Sequence, residues 1–428
     1  MNKLSNQPPK GTSDWLPGEF QIRKYIFDTW RKVCTSFGYE EYLTPQIELA
    51  DVYRAKSGED LGGKELWTLT DLKGREFAIR PEMTPSVTRM VTRIYQDTPK
   101  PIRLFSIANF MRNEKPQRGR NREFWQLNFD IFGVDSVNAD IEVLQVALEI
   151  MLGFNPPKGS FVMYINNRRL IDYVLNEVVS VTEEQRTQTV RILDKWEKLN
   201  EEEFAKRLKE DAALNDDQIE SLKKFMQSQN GEDLVKNLPE IEGSEGLKEI
   251  NETMEALNEM GYSEWISFNP SVIRGFDYYD GMVFEVFDKN PENSRSMFGG
   301  GRYNGLAALF GSQSFPATGC APGDETTRLF LEGWNLLDQA KENKPKSYYL
   351  PLLDESFVDI RDSISTTLRK DGNIAIDGLE EQRLGKALEW TDKKEIDYVV
   401  ILGEEEKSRG VYKIKDMKSG VEEDINLD

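Results

Sequence analysis

Residues 112–126 read Arg112-Asn113-Glu114-Lys115-Pro116-Gln117-Arg118-Gly119-Arg120-Asn121-Arg122-Glu123-Phe124-Trp125-Gln126. Two strand-like runs rich in Phe and Ile, Ile102 to Met111 and Glu123 to Val134, flank the basic part of this stretch. Pro116 and Gly119 interrupt any regular element between them, so the spacing predicts an antiparallel hairpin around a long loop. Arg112, Arg118, Arg120, Arg122 and Lys115 give that loop a fork-like donor array suited to phosphates. The array indicates a polyanion without separating ATP from RNA, and a solvated charged turn is the plain alternative.

On the N-terminal side, Ile22 to Phe37 has helical apolar spacing and ends at Gly38, a suitable C′ residue. Glu76 to Ile79 reads as a short strand. Arg80-Pro81-Glu82-Met83-Thr84-Pro85 then turns into a helix, with Thr84 as expected N-cap and Pro85 at the first helical position. From about residue 171 to 257 the chain becomes rich in Glu, Lys, Arg and Gln at helical spacing, notably Thr182 to Leu199 and Glu201 to Met226. That reads as a solvated helical insertion, with a partner-binding arm as the alternative. A strand at Met282 to Phe287 and a glycine cluster at Gly299 to Gly305 follow, the cluster read as a tight hairpin. Gln339 to Lys346 reads as a linker, and the apolar strands Tyr348 to Leu352 and Tyr398 to Leu402 fit a small α/β domain.

Composition narrows the chemistry. The 428 residues carry 55 Lys plus Arg against 75 Asp plus Glu, a formal charge of −20, and no histidine at all. A histidine-based triad, an imidazole general base and histidine-ligated zinc or haem are therefore excluded. Cys34 and Cys320 stand alone, so neither a disulfide framework nor a four-cysteine zinc site exists. The N-terminus lacks the apolar core of a signal peptide, and no run of about 18 apolar residues occurs. No membrane association and a cytoplasmic location are expected. Catalysis has to use carboxylates, Arg, Lys, Tyr, hydroxyls or an oxygen-held ion.

Two further clusters carry usable chemistry. In Val272-Ile273-Arg274-Gly275-Phe276-Asp277-Tyr278-Tyr279, Arg274 can hold a phosphate or carboxylate and the tyrosine hydroxyls can orient a polar ligand. An aromatic core edge with a structural ion pair is the alternative. Glu82, Thr84 and Gln126 together could receive an ammonium group, and Asp130 an N–H donor. Gln126 and Asp130 are an even number apart on the expected strand, so they face one side. Solvent-facing side chains and a helix cap would explain the same residues without a ligand. The glycine cluster lacks the context of a dinucleotide fold and the GK[ST] of a P-loop.

Together these segments resemble the class II aminoacyl-tRNA synthetases, specifically the histidyl-tRNA synthetase family, over nearly the whole chain. Pro8-Pro9-Lys10-Gly11-Thr12 resembles the family's opening, and Phe37-Gly38-Tyr39 through Thr44-Pro45 its dimer-forming motif 1. Arg80 to Thr84 resembles RPExT and Arg112 to Gln126 motif 2. Arg274 to Tyr279 and Gly300 to Gly305 resemble two histidine-specific segments, and Arg383-Leu384-Gly385-Lys386 with Tyr398 to Gly403 resembles the anticodon-binding tail. Six motifs in the right order make the resemblance specific.

The resemblance implies an α+β catalytic core with an antiparallel sheet, a helical insertion and a small C-terminal α/β anticodon-binding domain. The expected division is 1–170 and 259–338 for the core, 171–258 for the insertion, 339–347 for the linker and 348–428 for the tail. It implies activation of L-histidine by ATP, with magnesium accompanying the nucleotide, then transfer to the 3′ end of tRNA(His) by a homodimer. Arg112 and Arg274 would be catalytic at the α-phosphate. Glu82, Thr84 and Gln126 would receive the ammonium, and Asp130 and Tyr279 the imidazole nitrogens. Arg112, Arg274 and Tyr278 complete the histidine site. Arg112, Glu114, Arg120 and Arg328 would bind ATP, and no protein side chain is assigned as a metal ligand.

Several positions depart from the family pattern. Motif 3 usually places an arginine, which caps the adenine, three residues after a glycine. In Gly323-Asp324-Glu325-Thr326-Thr327-Arg328 it comes five later. Two residues on a helix amount to a rotation of roughly 200°, so Thr326 takes the expected position and Arg328 turns toward the other face. Asn304 stands where aspartate is usual, Lys115 where arginine is usual, Asp130 where many bacterial members have glutamate, and Trp125 where histidine is common. The alternative is a non-catalytic paralogue, either the regulatory subunit of ATP phosphoribosyltransferase or an uncharged-tRNA sensor. The tail and the retained Arg112 and Arg120 speak against it.

Overall fold

A computed structural model describes residues 4–55, 63–273, 279–293, 295–342 and 345–427. The chain forms two compact units, Met1–Ala340 and Lys341–Asp428. The first is built on strands β1 (Glu40–Glu41), β2 (Ile47–Leu49), β3 (Trp67–Thr70), β4 (Glu76–Ile79), β5 (Ile102–Met111), β6 (Glu123–Phe132), β7 (Phe161–Asn167), β8 (Ile266–Phe268), β9 (Met282–Asp288), β10 (Ser296–Arg302) and β11 (Ala317–Cys320). Eight of these make one sheet in the order β1-β5-β6-β11-β10-β9-β7-β8, while β2-β4-β3 form a smaller one. The interior pairings of the large sheet are antiparallel, and only the outer strands β1 and β8 join in parallel.

Strand β6 shows why this sheet has a dry and a wet face. Alternate residues of a strand point to opposite sides. Leu127, Phe129 and Ile131 enter the main hydrophobic core with Trp30, Leu144 and Phe330. Gln126, Asn128 and Asp130 face a cleft instead. The helices Pro17–Ser36, Val137–Leu152 and Asp324–Gly333 supply core residues on the dry side. A buried ion pair links two of them, with Arg23 Nη1 2.9 Å from Asp324 Oδ2 and Nη2 bonded to Glu325.

Residues 168–259 are almost wholly helical, from the helix Arg168–Tyr173 to the helix Glu245–Glu259, and belong to the first compact unit. Helix starts are specified locally: Thr182 with Gln185 and Asn215 with Gln218 form reciprocal capping boxes. Phe204, Leu222 and Phe225 are fully buried in a core of the segment's own, which Phe268 and Ile273 also join. Among the described residues no helix is long and apolar enough to cross a membrane.

The second unit holds a five-stranded sheet of β12 (Ser347–Leu352), β13 (Ile374–Glu381), β14 (Tyr398–Ile401), β15 (Val411–Asp416) and β16 (Glu422–Asn426), ordered β13-β12-β14-β15-β16. Its first three strands are parallel, which requires crossovers. The helices Val358–Lys370 and Leu384–Lys393 supply them.

Two local expectations change. Thr84 is the first helical residue rather than the cap, because the helix Thr84–Ile94 begins one position early and carries Pro85 within its first turn. Gly299, Gly300 and Gly301 lie inside β10 rather than in a turn. A Cβ on Gly300 would collide with the Gly319 carbonyl of the neighbouring strand, so the sheet closes here only around glycine.

Candidate active site

A cleft of about 1130 Å³ opens over the wet face of β6, β9, β10 and β11. Glu82, Thr84, Arg112, Glu114, Arg120, Gln126, Asp130 and Tyr279, scattered over 198 positions of sequence, all line it. Arg274 and Tyr278 lie outside the described residues.

The hairpin places the basic loop at one end. β5 and β6 pair from Ile102 opposite Phe132 to Met111 opposite Glu123, so Arg112 and Arg122 flank the loop as it leaves the ladder. Arg112 N donates to Arg122 O at 2.8 Å. A second tight pairing, Gln117 with Arg120 in both directions at 3.0 and 2.8 Å, closes the tip. Gly119 turns that tip at φ +76°, where an L side chain would be strained.

Arg112 is held rigidly. Its Nε donates to Pro81 O at 3.0 Å and its guanidinium sits 4.9 Å from the Phe124 ring centroid. Withdrawal from water pulls its pKa below the ordinary arginine value, against the opposing fields of Glu82, Glu114 and Glu65. The group is a cation prepared for an anion that desolvates it further. Arg120 is more exposed, 3.6 Å from Glu114, and free to reach outward.

At the other end β6 and β11 make a polar recess. Tyr303 donates its hydroxyl to Asp130 Oδ1 at 2.5 Å. Asp130 Oδ2 is buried and finds no hydrogen-bond partner among the described residues. Burial raises the Asp130 pKa to about 7, although the Tyr303 bond pulls the other way. Gly319 makes the space, since a Cβ there would run into the Asp130 carboxylate. An unsatisfied buried acceptor on a cleft wall is costly unless a ligand donor meets it. The position suits a ring N–H. Midway, Gln126 Nε2 donates to Ala321 O at 3.2 Å, fixing the amide between the two ends.

Tyr303, Gly319 and Asp324 take no role from residue order alone. Asp324 is buried, accepts from Trp125 N at 2.9 Å and pairs with Arg23; burial lifts its pKa to about 6 despite that pair. Nor did the sequence place the helical segment here, yet Asp194, Glu197 and Lys198 line the cleft. Glu197 Oε1 accepts from Asn269 Nδ2 at 2.8 Å and Ser271 Oγ at 3.2 Å, tying the segment to the strand exit ahead of residue 274. Asn304 accepts from Ala317 N at 3.0 Å and is thus occupied by the backbone of β11.

Arg328 is not among the cleft residues. It bonds Glu325 at 2.9 Å and Glu332 at 3.2 Å and lines a shallow depression outside. Thr326 occupies the cleft-facing position, its Oγ1 donating to Met297 O at 3.0 Å. That is the rotation expected from two added residues on a helix.

Comparison with known proteins gives the arrangement a family. Residues 11–323 match the family model described as Histidyl-tRNA synthetase, and 342–428 that described as Anticodon binding domain. A histidine–tRNA ligase of Leptospira biflexa is 38% identical over 419 residues, 97% of this chain and 94% of the relative. The histidine–tRNA ligase of Pyrococcus horikoshii is 34% identical over 423 residues, covering 98% and 96%. Among solved structures, histidyl-tRNA synthetase from Nostoc sp. PCC 7120 superposes with a TM-score of 0.84 at 23% identity, covering 99% of this chain and 97% of that one. An ATP phosphoribosyltransferase regulatory subunit/histidyl-tRNA synthetase from Bacillus halodurans superposes at 0.72 with 22% identity, covering 88% and 94%. Both likenesses bear on the fold.

Proposed function

The chain belongs to the histidyl-tRNA synthetase family and has its ATP-dependent histidine–tRNA ligase activity, and on that premise we propose how its residues divide the work. The histidine carboxylate attacks the α-phosphorus of ATP; the bond to the bridging oxygen breaks and diphosphate leaves. The terminal tRNA hydroxyl then attacks the acyl carbon and AMP leaves. The nucleophile in each step is a substrate oxygen, so the protein's part is positioning and charge. This is why a chain without imidazole can run the reaction.

Arg112 holds the α-phosphate and the attacking carboxylate, and Arg274 works beside it. Arg120 reaches the outer phosphates, with Glu114 orienting it. Glu82, Thr84 and Gln126 receive the ammonium. Asp130 and Tyr279 take the two ring nitrogens, with Tyr278 alongside. Two partners on opposite ring nitrogens reject amino acids that lack them, because the buried acceptor would stay unpaired. Magnesium comes with the nucleotide, held chiefly by water and phosphate oxygens. Such a cation would need only one carboxylate, Glu114, which also lies 3.6 Å from Arg120. It would supply charge neutralisation on the phosphates. The tail carries tRNA(His) recognition, the working form is a homodimer, and the setting is the cytoplasm.

The observation that carries the site assignment is the buried Oδ2 of Asp130, without a partner among the described residues, in the same cleft as Arg112. Amino-acid-dependent ATP–diphosphate exchange tests it. Exchange with histidine alone is the expected result; exchange with another amino acid, or with none, would overturn the reading.

A further inference from the structure

The cleft has a cation that no motif supplies. Arg295 stands in the loop between β9 and β10 and lines the cleft. Its Nη2 donates to Gln117 Oε1 at 3.0 Å, across to the tip of the basic loop. A second link runs parallel, Arg118 Nη2 lying 3.7 Å from Glu292 Oε2. Two residues after Arg295, Met297 offers the carbonyl that accepts from Thr326. Arg295 thus stands, on another element, two residues from the carbonyl that accepts from Thr326, the residue in the position that Arg328 does not fill. The register of β10 on β9 shifts between Ser296 and Phe298, an irregularity that re-aims neighbouring side chains.

Short side chains keep this corner open. A Cβ at Gly119 would stand 3.5 Å from Leu329 Cδ1 and 3.9 Å from Thr326 Cγ2, so the tip of the basic loop rests directly on the helix Asp324–Gly333. A long side chain at 326 would occupy that contact. Arg328 is committed to Glu325 and Glu332, and Glu325 also to Arg23. Arg295 is exposed, and the neutral amide oxygen that it contacts is readily exchanged for a ligand.

Resting on the ligase reading above, we infer that Arg295 caps the purine base of ATP in place of the displaced motif 3 arginine. A planar guanidinium stacks on an aromatic face, and the base is the one part of the nucleotide that offers such a face. Gln117 releases the guanidinium when the base arrives. Arg295 is thus a substrate-binding residue unique to the loop between β9 and β10, while Arg112 and Arg120 serve the phosphates.

The test compares wild type, Arg295→Ala, Arg295→Gln and Arg328→Ala by ATP–diphosphate exchange and by calorimetric ATP binding. Both Arg295 variants are expected to raise KM and Kd for ATP roughly tenfold. KM for histidine, the melting temperature and inhibition by inorganic tripolyphosphate, which has no base, should stay within about twofold of wild type. A parallel weakening of tripolyphosphate would make Arg295 a phosphate ligand and overturn the inference. So would a raised KM for ATP in Arg328→Ala with none in the Arg295 variants. A wild type that binds ATP but exchanges with no amino acid would sink the ligase reading instead, and calorimetry on the same variants would still decide the cap.

Discussion

The Tyr303 hydroxyl and Asp130 Oδ1 meet at 2.5 Å in the wall of the cleft, 173 positions apart in sequence. The bond leaves the other carboxylate oxygen without a partner among the described residues and opposes the rise in pKa that burial causes. Removing it in Tyr303→Phe should let the Asp130 pKa climb beyond about 7. A hydrogen bond to a charged group contributes about 1.5–3 kcal/mol, so KM for histidine at pH 7 should rise roughly 10- to 100-fold. The pH at which KM falls to its plateau should also move upward. KM for histidine measured from pH 6 to 9 checks this, and an unshifted profile would count against a positioning role.

Asp130 also makes folding depend on pH. Its folded pKa is raised, so the folded chain binds the proton more tightly than the unfolded one. The associated stability is present at low pH and is lost as pH rises through about 7. Asp130→Asn removes that loss while keeping an acceptor for Tyr303. Its melting temperature should exceed wild type by more at pH 8.5 than at pH 5.5. An equal difference at both pH values would contradict the assigned pKa.

Two glycines in adjacent strands should fail differently. A Cβ on Gly319 meets the buried Asp130 carboxylate and, at 2.8 Å, the Phe129 backbone carbonyl, whereas one on Gly300 meets only backbone, the Gly319 carbonyl and the Cys320 Cα. Gly319→Ala should lose stability and also raise KM for histidine, because it displaces the Asp130 carboxylate. Gly300→Ala should lose stability, by about 1–3 kcal/mol as overpacked interiors do. Thermal unfolding alongside exchange kinetics separates the two, and identical behaviour would reject the distinction.

Arg112 offers a test of fork geometry. Its Nε is already used on Pro81 O, leaving the two terminal nitrogens for a bidentate contact. Lysine keeps the charge and loses the fork. Arg112→Lys should reduce the exchange rate about 10²- to 10³-fold, the scale for losing one preorganised donor at developing charge. Retention of most activity would mean that charge alone suffices.

What could be read from residue order was whatever depends on near neighbours. The hairpin around 112–122 was legible because two β-rich runs flank Pro116 and Gly119. Gln126 and Asp130 could be put on one face because a strand has period two. Counting along the helix after Gly323 was enough to turn Arg328 away from the cleft. The pairing of Tyr303 with Asp130 was not legible, since it follows from where β10 and β11 fall in the sheet. The glycines of β10 looked like a turn because their reason, the backbone opposite, belongs to another strand. Glu197 gave no sign that its helical segment touches the cleft, since a solvated glutamate and a tethering one look alike in sequence.

The Arg23 pair with Asp324 and Glu325 has a consequence for synthesis. Arg23 is buried, and its partner at 325 lies 302 positions downstream. At roughly 5–20 residues per second, about 15–60 seconds pass between their emergence from the ribosome. For that interval the first helix carries an unmatched charge, and β6 waits for β11, the neighbour that separates it from β10. The helical segment 168–259, with its locally capped helices, can order itself meanwhile. A nascent chain thus holds a folded appendage on an open sheet, and a premature stop before residue 324 yields a protein that cannot shut.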